Sequence, residues 1–169
     1  MMKKLITNIT IFLIAVSFTN FVKAAKAEIT WTDYEKYRDI HPSNESRKHF
    51  RERTFYNFEK HFNKLAAKLS EGQVLKIEFN DVDLAGDTRV GGIDRIRIVK
   101  DIYFPKLSFS YQYISADGTE IFADSVILKD ISFLSNNALK YRNDSIGYEK
   151  NMIDKWFFKT FEEHISNEN

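Results

Sequence analysis

Phe55, Phe58, Phe62, Leu65, Ala66 and Leu69 recur at spacings of three and four with one adjacent pair, the pattern of a helix with one apolar face. Ser43 is placed to cap its start, Glu45 suits the positive end of the helix dipole, and Gly72 supplies the stop. On either side of this stripe the period falls from 3.6 to 2. Residues 28–32 set Ile29 and Trp31 against Thr30 and Thr32, and residues 74–84 set Leu75, Ile77 and Phe79 against Lys76, Glu78 and Asn80. The clearest strand is Leu107, Phe109, Tyr111 and Tyr113, alternating with Ser108, Ser110 and Gln112. Asp117-Gly118 turns it back into residues 121–128 as a hairpin. Ile96 and Ile98 alternate with Arg95 and Arg97, which predicts a short strand with a basic outward face, ended or forced to an edge by Pro105. Asn143-Asp144-Ser145 caps a closing helix with Ile146, Ile153, Trp156, Phe157 and Phe161 on its apolar face.

This order predicts an α+β fold: a single-domain two-layer sandwich with a mostly antiparallel sheet of four to five strands and two helices on one face. The Phe109, Tyr111 and Tyr113 row belongs under the helices, because their two apolar stripes must be buried somewhere; the competing use is an aromatic binding platform. The 169 residues are 43% hydrophobic and 15% aromatic, enough apolar area for a core and against wholesale disorder.

The start of the chain follows different rules. Lys3 and Lys4 precede an apolar run over residues 9–18, too short for the ~20 residues of a membrane span. Ala25-Lys26-Ala27 then has signal-peptidase spacing, with Val22-Lys23-Ala24 as a second candidate. Residues 1–27 are therefore expected to be a cleaved signal peptide and residues 28–169 a single domain; an uncleaved amino-terminal anchor is the alternative. Loss of Lys3, Lys4, Lys23 and Lys26 leaves about three more acids than bases, a balance that argues against nucleic-acid binding. The absence of Cys excludes a lipid anchor and disulfides. A soluble periplasmic protein of a Gram-negative bacterium is expected, without a transmembrane span after cleavage; full secretion is the alternative.

Four stretches together resemble a known family: ITWTD at residues 29–33, DVDLAGD at 81–87, GGIDRIRIVKDIYFP at 91–105 and YRNDSIGYE at 141–149. They look like an uncharacterised family of exported bacterial proteins, domain of unknown function 3016. The resemblance spans about residues 29–161 and implies one exported domain. It carries no activity and no catalytic residues.

Candidate chemistry is thin. Asp81, Asp83 and Asp87 with Gly86 mimic the start of a calcium loop, but Ala85 and Gly92 stand where ligands belong. Residues 86–92 have the outline of a phosphate loop without its Lys and hydroxyl. His49 and His61 lie about 120° apart round the helix, and no His-Glu-x-x-His or Gly-x-Ser-x-Gly pattern occurs. No metal and no cofactor are expected.

Two features remain as binding candidates. Lys60, Lys64 and Lys68 form a like-charged row on a helix whose cations outnumber its acids, suited either to solvent or to an acidic partner. Residues 84–93 carry three glycines and read as a loop presenting Asp87 and Arg89. The leading expectation is a non-catalytic binding or assembly module for an envelope protein or polymer. The alternative is an envelope hydrolase using the acids near Asp81–Asp87.

Overall fold

The computed structural model describes residues 24–91, 94–135 and 139–165. Strand β1 (Lys26–Trp31) lies parallel to β2 (Val74–Asp83), and helix α1 (Arg47–Ala66) makes the crossover between them. β2 pairs antiparallel with β5 (Lys106–Ile114), and β5 with β6 (Glu120–Lys129), giving the order β1-β2-β5-β6. Between β2 and β5 the chain detours through β3 (Asp87–Gly91) and β4 (Asp94–Ile98), an antiparallel ribbon separate from the main sheet. Helix α2 (Gly147–Thr160) closes the fold. The α+β expectation holds, with four strands in the main sheet and two in the ribbon.

One face of the sheet is covered. Leu75, Ile77 and Phe79 of β2 and Leu107, Phe109, Tyr111 and Tyr113 of β5 are all buried, under Phe58, Phe62 and Leu65 of α1 and Ile153, Trp156 and Phe157 of α2. The aromatic row is thus core. Each such side chain contributes about 2–3 kcal/mol by leaving water. Trp31 is stacked between Phe55 (3.9 Å) and Phe79 (4.5 Å), and its indole N–H donates to Glu59 at 2.9 Å. The opposite face carries polar rows such as Thr30, Glu78, Ser110 and Ser125, as an antiparallel sheet with one solvated face requires.

Local differences from the sequence pattern have identifiable causes. Residues 87–91 form a strand rather than part of a loop: Gly86, at φ +88°, makes the bend, and the residues after it pair with β4. The cap of α1 is Ser46 and not Ser43: the Ser46 Oγ accepts the His49 N–H at 3.2 Å, while the preceding Asn44 accepts the Arg95 N–H at 2.9 Å and ties this loop to β4. Lys26 and Ala27 belong to β1, inside the segment expected to be removed; residues 1–23 of that segment lie outside the described residues. Among the described residues no helix is long and apolar enough to cross a membrane.

Candidate functional site

The end of β2, the β3–β4 ribbon, the segment before α1 and the start of α2 converge on Arg97. Its guanidinium binds Asp39 twice, Nη1 to Oδ2 at 2.8 Å and Nη2 to Oδ1 at 3.1 Å. The same nitrogens donate to the carbonyls of Ala85 (3.2 Å), Gly86 (3.1 Å) and His41 (3.0 Å), and the Phe50 ring lies 6.0 Å away. One planar fork thereby ties three chain segments, a task that Arg performs and a point-charge Lys cannot.

Glycine makes this approach feasible. A Cβ on Gly86 would lie 2.9 Å from the Ile98 carbonyl oxygen and 3.0 Å from Cγ of Arg97. Beside it Glu149, in the first turn of α2, accepts the Ala85 N–H at 2.7 Å while 2% exposed. Burial pushes its carboxyl above the ordinary range, partly offset by that hydrogen bond and by Arg97.

The Arg97–Asp39 pair stands between two hollows. One, of about 280 Å³, lies against α2 and is lined by Phe50, Arg97, Val99, Tyr141, Ser145 and Glu149 among others. The other, about 800 Å³ and more open, is bordered by Arg38, Asp39, Asp83, Asp87, Tyr103 and Lys106 among others. In it Asp83 is raised above the usual carboxylate range, first by burial and then by the neighbouring Asp39, with Arg38 Nε 3.8 Å away acting against the shift.

The expected site residues divide. Asp87 borders the larger cleft and accepts from Arg89 Nε at 2.9 Å, while Arg89 also donates to the Tyr103 hydroxyl. The two side chains hold each other at the rim. Lys60, Lys64 and Lys68 are exposed along and just beyond α1; Lys60 is ten residues past Phe50, ~15 Å along the helix, and the row is not brought to the cleft. Asp81 accepts the Arg38 backbone N–H at 2.9 Å, so the three acids of the calcium-like stretch serve separate contacts. Among the described residues no three His, Asp or Glu side chains are grouped to hold a metal.

A second polar cluster, whose His61 and Asp154 are buried and whose Lys140 reaches solvent, joins the helices. His61 Nε2 of α1 lies 2.9 Å from Asp154 Oδ1 of α2, an approach too oblique for a well-aligned hydrogen bond. The other oxygen, Oδ2, accepts from Lys140 Nζ at 2.7 Å and from the Tyr141 hydroxyl at 2.8 Å. Burial would raise the Asp154 carboxyl, but His61, Lys140 and Tyr141 together outweigh it and bring it down to about 2. With His61 only 4% exposed, this arrangement fastens α1 to α2 and offers no open reacting position.

Neither a curated protein nor a solved structure matches this chain. The family model described as Protein of unknown function (DUF3016) matches residues 25–159, from the first strand through nearly all of α2, and the chain belongs to that family.

Proposed function

We propose that this protein is an exported, non-catalytic binding module of the bacterial envelope, and that the Arg97 cleft holds its partner, an envelope protein or polymer. The observation that carries this reading is how the acids of the cleft are used. Asp39 is clasped by Arg97, Asp87 holds Arg89 and Glu149 is sealed against Ala85. Carboxylate hydrolases instead leave two acids facing one bond with their pKa values driven apart. Residues from three stretches distant in sequence, 81–87, 91–105 and 141–149, all contribute to the two hollows. The larger one mixes Arg38, Lys106 and Lys129 with Asp83 and Asp87 beside Tyr103 and Phe104, a surface suited to a polar partner bearing both charge signs. Export is supported by the leader-like start and its small-residue spacing.

The test is capture from envelope extract by the wild-type protein and by D87A/R89A. Both side chains are substantially exposed, so the variant keeps its thermal midpoint. It is expected to lose the partner; equal capture by the variant would place the site elsewhere. Asp83 favours the second reading, a hydrolase, because its raised carboxyl lies in an open polar cleft. Hydrolysis of envelope polymers that D83N abolishes would establish that reading against the first.

A further inference from the structure

Among the described residues the main sheet ends at β6, a ten-residue strand that pairs with β5 on one side only. Alternate N–H and C=O groups of such an edge face outward and are available to another strand. Beside the edge runs a groove of about 460 Å³ between β6 and α2. Leu128, Met152 and Trp156 form its apolar part, and Lys129, Lys155 and Lys159 outnumber the one acid, Asp130, to which Lys155 is bonded at 3.3 Å. Ile127, 63% exposed, stands at the same edge.

Lysine on an edge strand is a common guard against unwanted pairing, and Lys129 alone would serve that purpose. Lys155 and Lys159 are different: they come from α2 and border an apolar trough beside the strand. We propose that the β6 edge receives an extended segment of a partner protein whose helix-facing side chains, at every second position, include both apolar and acidic groups. The segment adds a fifth strand to the sheet, seats apolar groups against Leu128 and Trp156, and sets carboxylates against Lys155 and Lys159. Pairing of β6 with a second copy of this chain is the competing occupant, and sedimentation reads it out. This inference does not depend on the Arg97 cleft.

The experiment is an amide NMR titration of the labelled protein, at low salt, with a short peptide that carries valine and glutamate in turn at every second position with serine between them, and with its counterpart bearing lysine for glutamate. Shifts are expected within Glu120–Lys129 and along α2 near Lys155, with the acidic peptide binding at least about tenfold more tightly. The variant K155E/K159E, altered at exposed helical positions, should reverse the preference, and K159E alone should weaken it in the same sense. Equal binding of both peptides, no binding, shifts confined to other surfaces, an unchanged preference in the variants, or self-association through β6 in sedimentation would each overturn the proposal.

Discussion

Arg97 and Asp39, fifty-eight positions apart, meet through two hydrogen bonds of 2.8 and 3.1 Å, and this pair anchors the β3–β4 ribbon to the segment before α1. The contact is largely buried, with the side chains 21% and 12% exposed. An ion pair so placed costs free energy to desolvate, yet losing one partner costs more, because the other charge stays behind unsatisfied.

Arg97→Ala should therefore destabilise the protein by about 3 kcal/mol, since it strands the Asp39 carboxylate and withdraws donors from three carbonyls. Arg97→Lys should recover only part of the loss, because an ammonium cannot span both Asp39 oxygens and those carbonyls at once. Urea denaturation measures both. An alanine variant within about 0.5 kcal/mol of wild type would show that the pair is not the anchor.

Glu149 responds in the opposite sense to removal of its charge. Its carboxyl is raised above the unfolded value, so its contribution to stability is present below the ordinary Glu range and is lost as pH rises through the folded pKa. Glu149→Gln keeps an oxygen for the Ala85 N–H without a buried charge, and at pH 7 it should be as stable as wild type or more so. Glu149→Ala, which leaves that N–H unpaired, should cost about 1–3 kcal/mol. A Gln variant as damaged as the Ala variant would mean that the charge itself is needed.

The periodic parts of this architecture were legible because burial on one side of an element writes itself into neighbouring residues. Leu107 to Tyr113 alternates since β5 has one covered face, and Phe58 and Phe62 mark the face of α1 that meets it. The cleft leaves no such mark. Asp39 lies in a polar stretch that reads as loop, Arg97 alternates with Arg95 as an outward basic residue would, and Glu149 looks like a first-turn acid. Their meeting depends on the tertiary path through Gly86, which no local period records. Asp87 was found at the cleft because it adjoins that glycine, whereas the lysine row on α1 was selected by charge alone and stands apart from it. His61 hides within the apolar stripe and is explained only by Asp154 on the other helix.

That helix-to-helix contact has a pH signature. Asp154 titrates at about 2 when folded and near 3.8 when unfolded, so its stabilising contribution is complete above about pH 4 and disappears as pH falls through 2. Asp154→Asn should cost about 2 kcal/mol at pH 5, and the gap between variant and wild type should shrink toward zero near pH 2. Comparing the two proteins at each pH isolates this carboxylate from Glu149 and Asp83, whose shifts run the other way. A gap that stayed constant with pH would assign the loss to packing.

The contacts of β1 bear on where the proposed leader is removed. A cut after Ala27 would delete Lys26 and Ala27, which pair with Val74 and Leu75, and with them the Lys26 N–H bond to Gln73 (3.2 Å) and the Ala27 N–H bond to the Asn63 side chain (3.1 Å). Ala25, 6% exposed, also packs in the core. A cut after Ala24 meets the same small-residue requirement through Val22 and Ala24 and leaves every one of these contacts intact. We therefore expect the intact mass of protein recovered from the periplasm to begin at Ala25, where the family match also begins. Refolded chains starting at Ala25 and at Glu28 supply an independent check: the shorter one should be less stable by roughly 1–3 kcal/mol, for two lost backbone hydrogen bonds and a shortened edge strand. A recovered mass beginning at Glu28, together with equal stability of the two chains, would show that the first residues of β1 are dispensable and that processing takes the later site.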